Sequence, residues 1–489
     1  MRNTSLILLF TVWALAGARV ARAESRDWVE VESPDFTVVS DVSPHQVLAV
    51  ARRFERIRAV FQKAFPQMRV YPQIPVVILA ARNARSFQSL QPAAWQRPGE
   101  VRRSGLLLRN PDKNYILLQL GLPGNHPYRV IYHEYAHLIL EDNFRSIPLW
   151  LNEGLAQFYA NSDVSHKTVR LGLPSNQSLQ LLRDNNLLPL PLLFTVTNTS
   201  PYYNESTAGT IFYAESWALT DYLMFQQDGA GRGPINEYLA LAAQGQDPVS
   251  AARQAFGGLD ALQSKLQSFV HSLAFHYYRL KVSFSGDGTT WPLRKLSAGE
   301  SAAIRGGFLV RVARYSEART LLQEALSEND PEPSAAQSIG LLELRTGNAE
   351  QAAVWFARAA RQCPQCYLAR FYHAVQLLRT GLTPDESRFA IGELRAFIQF
   401  NPVSAPPYAA LAVFYAQHHE HLAEACQFAK QASQLDPGHL PYLFLEGQIF
   451  LEMGNAPAAL RVAQRAVQQA RSPQEKSQAY IFLGTLQQR

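Results

Sequence analysis

Read from the N-terminus, the spacing of apolar positions changes several times. The segment "WVEVESPDFTVVS" (28–40) alternates apolar and polar residues about a Ser-Pro-Asp break, the pattern of two paired strands. From Pro44 to Phe65 the period lengthens, and Val47, Val50, Phe54, Ile57 and Phe61 fall on one face of a helix. Ile74 to Ala80 is a β-rich run, Ser86 to Leu90 reads as a short helix, and "GLLLRNPDKNYILLQLG" (105–121) reads as a hairpin turning at Asn110, Pro111 and Asp112. Two helical patterns follow: "PYRVIYHEYAHLILEDN" (127–143), with Pro127 suited to its first turn and Asn143 to its end, and "LWLNEGLAQFYA" (149–160). Then "LGLPSNQSLQLLRDNNLLPLPLLF" (171–194) reads as a short helix and an extended arm. Strands first and helices after predict an α+β domain.

The second half carries a longer period. Gly306, Ala318 and Ala325 recur 34 residues later as Gly340, Ala352 and Ala359, with Pro331 and Pro364 closing the two units. The same spacing of small residues continues at Ala374, Ala390 and Pro402, at Ala412, Ala425, Ala432 and Pro437, and at Gly447, Ala459, Ala466 and Pro473. Small residues at these places let the helices of a pair approach closely. The pattern resembles tetratricopeptide repeats, about five of them over residues 299–489, with 474–489 as a closing helix. That resemblance implies an all-α superhelix with a concave surface for peptides or proteins; a superhelix that only stabilises or spaces the first domain is the alternative. The turn-rich "SFSGDGTTWP" makes 276–298 the expected linker.

At 489 residues the chain is too long for one ordinary core, and 47% hydrophobic with 18% charged residues describes folded domains rather than disorder. The charge of +6, without a basic block or stripe, gives no ground for a nucleic-acid partner. Part of that charge, Arg2, Arg19 and Arg22, lies in a leader: an apolar run from Leu6 to Ala18 and then Ala21-Arg22-Ala23 predict a signal peptide over 1–23. The mature chain is then exported, to the periplasm or the extracellular space, with an uncleaved N-terminal anchor as the alternative. No later segment is a transmembrane candidate. Three cysteines are too few for a disulfide framework; Cys363 and Cys366 are either a local disulfide or two free thiols, and Cys426 a small packed hydrophobe.

Candidate chemistry sits on the two central helices. Residues four apart on a helix differ by roughly 40° in direction, so His133 and His137 point the same way and can share one tetrahedral ion. Glu134 lies beside that ion, within reach of a water's proton. Glu153 on the second helix is the third candidate ligand, and the small Gly154 and Ala156 beside it let the two helices pack closely.

"HEYAH" followed by "LWLNEGLAQF" resembles the gluzincin type of zinc metallopeptidase, specifically the peptidase-MA-like exported proteins of bacteria. "VESPDFTVVSD", the helix after it and "FYAESWALTDYL" (212–223) extend the likeness over about residues 28–270. The resemblance implies a zincin-like catalytic domain over 24–275 that hydrolyses peptide bonds. One Zn2+ is expected on His133, His137 and Glu153, with Glu134 as general base for a metal-activated water. Tyr115 to Leu120 is expected as the edge strand that aligns substrate. Tyr213 is the expected oxyanion donor, with Tyr202, Tyr203 and His126 as alternatives. The sequence departs from the thermolysin-like pattern at Gln157, where those enzymes place an aspartate against a zinc-bound histidine; Glu141 and Asp142 are candidate substitutes or a solvated helix end. Partners are then a peptide or protein substrate and a protein on the repeats. An inactive scaffold whose repeats mediate protein–protein interaction is the alternative, and zinc hydrolysis of something other than a peptide is a third.

Overall fold

A computed structural model describes residues 27–71, 74–96, 104–121, 129–144, 147–164, 168–204, 206–225, 232–282, 284, 290–327, 332–379, 383–436, 438–470 and 473–487. The expected signal peptide, His126, Pro127, Pro331 and Pro437 lie outside them.

The first strand pair forms as its alternation dictates: β1 (Val29–Glu32) runs antiparallel to β2 (Thr37–Ser40). Helix α1 (Pro44–Ala64) starts in a capping box between Ser43 and Gln46, and all five apolar positions read from its period are buried. After β3 (Val76–Ala81) and α2 (Ala84–Leu90) comes the hairpin of β4 (Gly105–Leu108) and β5 (Asn114–Gln119). Strands β2, β3 and β5 are parallel neighbours, and a late strand pairs antiparallel with β1 on the far side. One expectation is corrected here. Strand β5, which covers Tyr115 to Leu120 but for its last residue, is interior because β4 folds back along it, so β4 forms this edge of the mixed sheet.

Helices α3 (Arg129–Asn143) and α4 (Leu149–Ala160) follow, then the short strands β6 (Asp163–Val164) and β7 (Thr168–Leu171). The expected helix and arm are α5 (Asn176–Asp184) and α6 (Leu190–Thr195), the arm ending in a helix. Then come α7 (Pro201–Asn204), α8 (Ser206–Met224), α9 (Arg232–Ala243), α10 (Pro248–Phe256) and α11 (Leu259–Val270). The stretch expected as a linker supplies two strands instead. β8 (Tyr278–Lys281) pairs with β7, and β9 (Leu293–Lys295) pairs with β1 as the far edge of the main sheet.

Eleven helices follow among the described residues: α12 (Ala298–Arg311), α13 (Tyr315–Ser327), α14 (Pro333–Arg345), α15 (Ala349–Gln362), α16 (Tyr367–Arg379), α17 (Pro384–Phe400), α18 (Ala405–Gln417), α19 (Leu422–Leu435), α20 (Leu440–Glu452), α21 (Ala456–Gln469) and α22 (Pro473–Gln487). They form five hairpin pairs and a closing helix, with the recurrent alanines Ala318, Ala325, Ala352 and Ala359 buried. Cys363 and Cys366 are joined as a disulfide after α15, and Cys426 is free. No helix among the described residues is long and apolar enough to cross a membrane.

The main sheet is covered on both faces. Because side chains alternate along a strand, Val38, Ile78, Ile116 and Leu118 face one core with α1 and α3, while Val39, Leu79, Tyr115 and Leu117 face the other. That second core is shared with the repeats: Phe308 of α12 packs edge-on to Tyr115, ring centres 5.3 Å apart. The repeats therefore form a layer of the fold rather than a tethered appendage.

Candidate metal centre

Helix α4 is wedged between α3 and α8. A Cβ on Gly154 would lie 2.1 Å from Thr220 Oγ1 and 2.4 Å from the Ser216 carbonyl oxygen, both on α8. The smallness of Gly154 thus admits α8, not α3 as expected, and the close fit behind α4 holds its other face toward α3. On that face the ligand candidates meet. His133 Nε2 and His137 Nε2 are 3.0 Å apart, and Glu153 Oε2 stands 3.6 Å from the first and 3.5 Å from the second.

These separations test whether an ion fits. A tetrahedral zinc with bonds of about 2.0–2.1 Å places its ligand atoms roughly 3.3 Å from one another, and the three observed separations bracket that value. Glu153 Oε2 is buried without a hydrogen-bond partner, a costly state for a carboxylate oxygen unless a cation takes it. Two imidazole nitrogens and one carboxylate are also a common catalytic zinc donor set, with room for a further ligand. Among the described residues, His133, His137 and Glu153 form the one group spaced to hold a metal. The residues fit the ion.

The other atoms of the three side chains are already held. His137 Nδ1 is 3.1 Å from Asn152 Oδ1, which fixes Nδ1 as the N–H and turns the Nε2 lone pair toward the cluster. The His133 imidazole donates to the Ala156 carbonyl. Glu153 Oε1 accepts from the Tyr203 hydroxyl at 3.1 Å. Glu134, buried beside them, lies against the edge strand: a Cβ on Gly105 would be 2.2 Å from its Oε1, and the Leu107 backbone hydrogen-bonds its carboxylate.

Tyr203 brings its hydroxyl to the cluster, and the Tyr213 ring lies against the Tyr203 ring, centroids 5.5 Å apart. One expectation about a neighbour is corrected. Gln157 does not accept from His137, a place taken by Asn152. It accepts instead from Arg129 Nη2 at 2.9 Å. Glu141 and Asp142 pair with Arg109, fastening the hairpin to the end of α3. Tyr202 is exposed.

Residues 129–232 match a family model. It is described as a protein of unknown function (DUF1570), and the matched stretch holds His133, Glu134, His137, Glu153, Tyr203 and Tyr213. No curated protein matches the chain. Solved repeat proteins match its C-terminal helical region. TTC0263, a thermophilic TPR protein of Thermus thermophilus, is 22% identical over 39% of this chain and 100% of its own, with a TM-score of 0.29. YrrB, described as a TPR protein with an unusual peptide-binding site, is 17% identical over 37% of this chain and 90% of its own, TM-score 0.30. MamA from Desulfovibrio magneticus is 18% identical over 36% of this chain and 98% of its own, TM-score 0.30.

The matched helices carry a distinctive charge balance. Burial opposes protonation of His137, but the Glu153 carboxylate beside it, with Glu134, outweighs burial and pushes its pKa up to about 10. Burial and the charge on His137 push His133 down to about 3. Burial raises Glu134 to about 8, whereas His137 overcomes the same effect on Glu153 and holds it below the usual carboxylate range. Without an ion, His137 holds a proton against the Glu153 carboxylate. Asn152 and Gly105 were not singled out in the sequence, nor was the Ala156 carbonyl as an acceptor. Asn152 carried the best available signal, since it adjoins the candidate ligand Glu153 in "NEG".

Proposed function

We propose that the first half of the chain is a zinc-dependent metallopeptidase of gluzincin type and that the repeats bind protein substrates or partners. The observation that carries this reading is the buried Glu153 Oε2 facing two imidazole nitrogens at 3.5 and 3.6 Å, spaced as ligands of one ion, with Glu134 beside them. His133, His137 and Glu153 would hold the ion, which when bound supplies Lewis acidity, lowering the pKa of a water and polarising the scissile carbonyl. The Glu134 carboxylate takes the proton of the attacking water and returns it to the leaving amine. Tyr203 holds Glu153 in place and is the candidate donor for charge developing on the substrate. Strand β4, the free edge, offers backbone groups to an extended peptide lying over Glu134. The expected signal peptide over 1–23 supports an exported location for this activity.

A second reading is favoured by the five helix pairs themselves: a scaffold whose repeats bind a protein partner without hydrolysis. Incubating the zinc-loaded mature chain with a denatured protein or a peptide library separates the two. The expected result is cleavage by the native chain and at least a roughly hundredfold loss in Glu134→Gln, with zinc retained in that variant. No cleavage by a zinc-loaded native chain would leave the scaffold.

A further inference from the structure

The tip of the β4–β5 hairpin is buried in the repeats. Asp112 accepts from Arg311 Nη2 at 3.0 Å and 2.8 Å through its two oxygens, and from Gln337 Nε2 at 3.2 Å. Both charged side chains are almost inaccessible, 3% and 4% exposed for Arg311 and Asp112. Gln337 Oε1 in turn accepts from the Ala369 amide at 2.9 Å, and Asn401 Nδ2 donates to the Pro111 carbonyl at 2.8 Å. One turn of hairpin thus engages α12, α14 and the end of α17 directly, and α16 through Gln337, that is, the first three helix pairs. Burial alone would raise the Asp112 carboxyl, but the guanidinium beside it holds it below the usual range.

A hairpin turn needs no such anchorage to form, since its own ladder and turn residues suffice. The other end of this hairpin shows what the anchorage does. Among the described strands β4 pairs on one side only, is four residues long, and lies against Glu134 at Gly105 and Leu107. Arg109 ties its far end to α3 through Asp142. Besides its one ladder and its packing on α3, a short edge strand is located by its ends, and here both ends of the turn are anchored.

We propose that the repeats position the catalytic edge strand: Asp112, clamped by Arg311 and Gln337, and Pro111, held by Asn401, set where β4 lies against Glu134. The inner surface of the first three helix pairs is thereby occupied by this chain's own hairpin, leaving later pairs for a separate partner. The catalytic consequence rests on the peptidase reading, whereas the placement of β4 does not.

Hydrogen–deuterium exchange on the full-length protein tests this. In Asp112→Asn, exchange of the amides at 105–108 is expected to rise at least tenfold while those at 76–81 keep native protection. Asn401→Ala, which strands no buried charge, is expected to shift the same amides in the same direction and serves should Asp112→Asn fail to fold. With a cleaved peptide, both variants are expected to raise KM severalfold at native zinc content, and Asp112→Glu, keeping the charge, to recover part of the loss. Unchanged exchange at 105–108, or a rise spread evenly through the sheet, would overturn the proposal. A native chain without zinc or cleavage would instead overturn the peptidase reading and leave the exchange result to decide the positioning.

Discussion

Asn152 and Glu153 are adjacent on α4, yet one reaches the outer nitrogen of His137 and the other its inner nitrogen. The amide oxygen of Asn152 fixes the tautomer that metal binding requires. Asn152→Ala is therefore expected to weaken zinc roughly 10- to 100-fold in a chelator competition without unfolding the chain. Glu215 carries a different prediction. It is fully buried on α8, one oxygen accepting from the Leu188 amide at 2.7 Å and the other unpartnered, and burial raises it to about 8. A folded-state pKa above the ordinary 4.5 means that the folded chain holds this proton more tightly than the unfolded one. Its contribution to stability is full below pH 4.5 and is lost as pH rises through about 8. Glu215→Gln is expected to flatten this part of the decline in melting temperature between pH 5 and 9, and to exceed the native chain at pH 9 by on the order of 3–5 kcal/mol. Asp221, also buried and raised, adds a slope of the same sign that this variant leaves in place. The shared direction of His133 and His137 was legible in the sequence because the i, i+4 rule is local. Which of Asn152, Gln157, Tyr203 or Tyr213 would serve them was not, because that depends on how α4, α7 and α8 cross.

Among the elements, α1 was the most legible: its period named five of its seven buried residues, leaving out Ala51 and Val60. The edge strand was misread because "GLLL" and "YILL" are equally apolar in the sequence. Only in the structure are Asn114 to Leu118 buried without interruption, the mark of a strand covered on both faces and both sides, whereas Gly105 to Leu108 are only half-buried. Two glycines fix how elements meet at the centre, and each gives a test. Gly154→Ala drives a methyl into Ser216 and Thr220 of α8, so α4 must move; a loss of about 1–3 kcal/mol in stability and weaker zinc binding are expected from thermal melting and chelator titration. Gly105→Ala puts its methyl where Glu134 Oε1 lies. The carboxylate is the softer partner and turns aside, so cleavage is expected to fall sharply while zinc content stays native.

For the whole molecule, the five repeats and closing helix were legible from the recurrence of small residues, since that period is set by each helix pair alone. Their place against the sheet was not. β9 is three exposed residues, Leu293, Arg294 and Lys295, with no apolar pattern to mark a strand, and the shared core depends on the opposite faces of strands already assigned to the first domain. A chain ending before α12 would uncover Val39, Leu79, Tyr115 and Leu117 and is expected to aggregate, as judged by light scattering, while the full chain melts in one transition. The central claim remains the ion at His133, His137 and Glu153. Metal content of the purified full-length chain, beside His137→Ala and Glu153→Ala, tests it most directly. About one zinc per native chain, absent from both variants, is the expected result; a native chain that stays free of metal after refolding with zinc would contradict it.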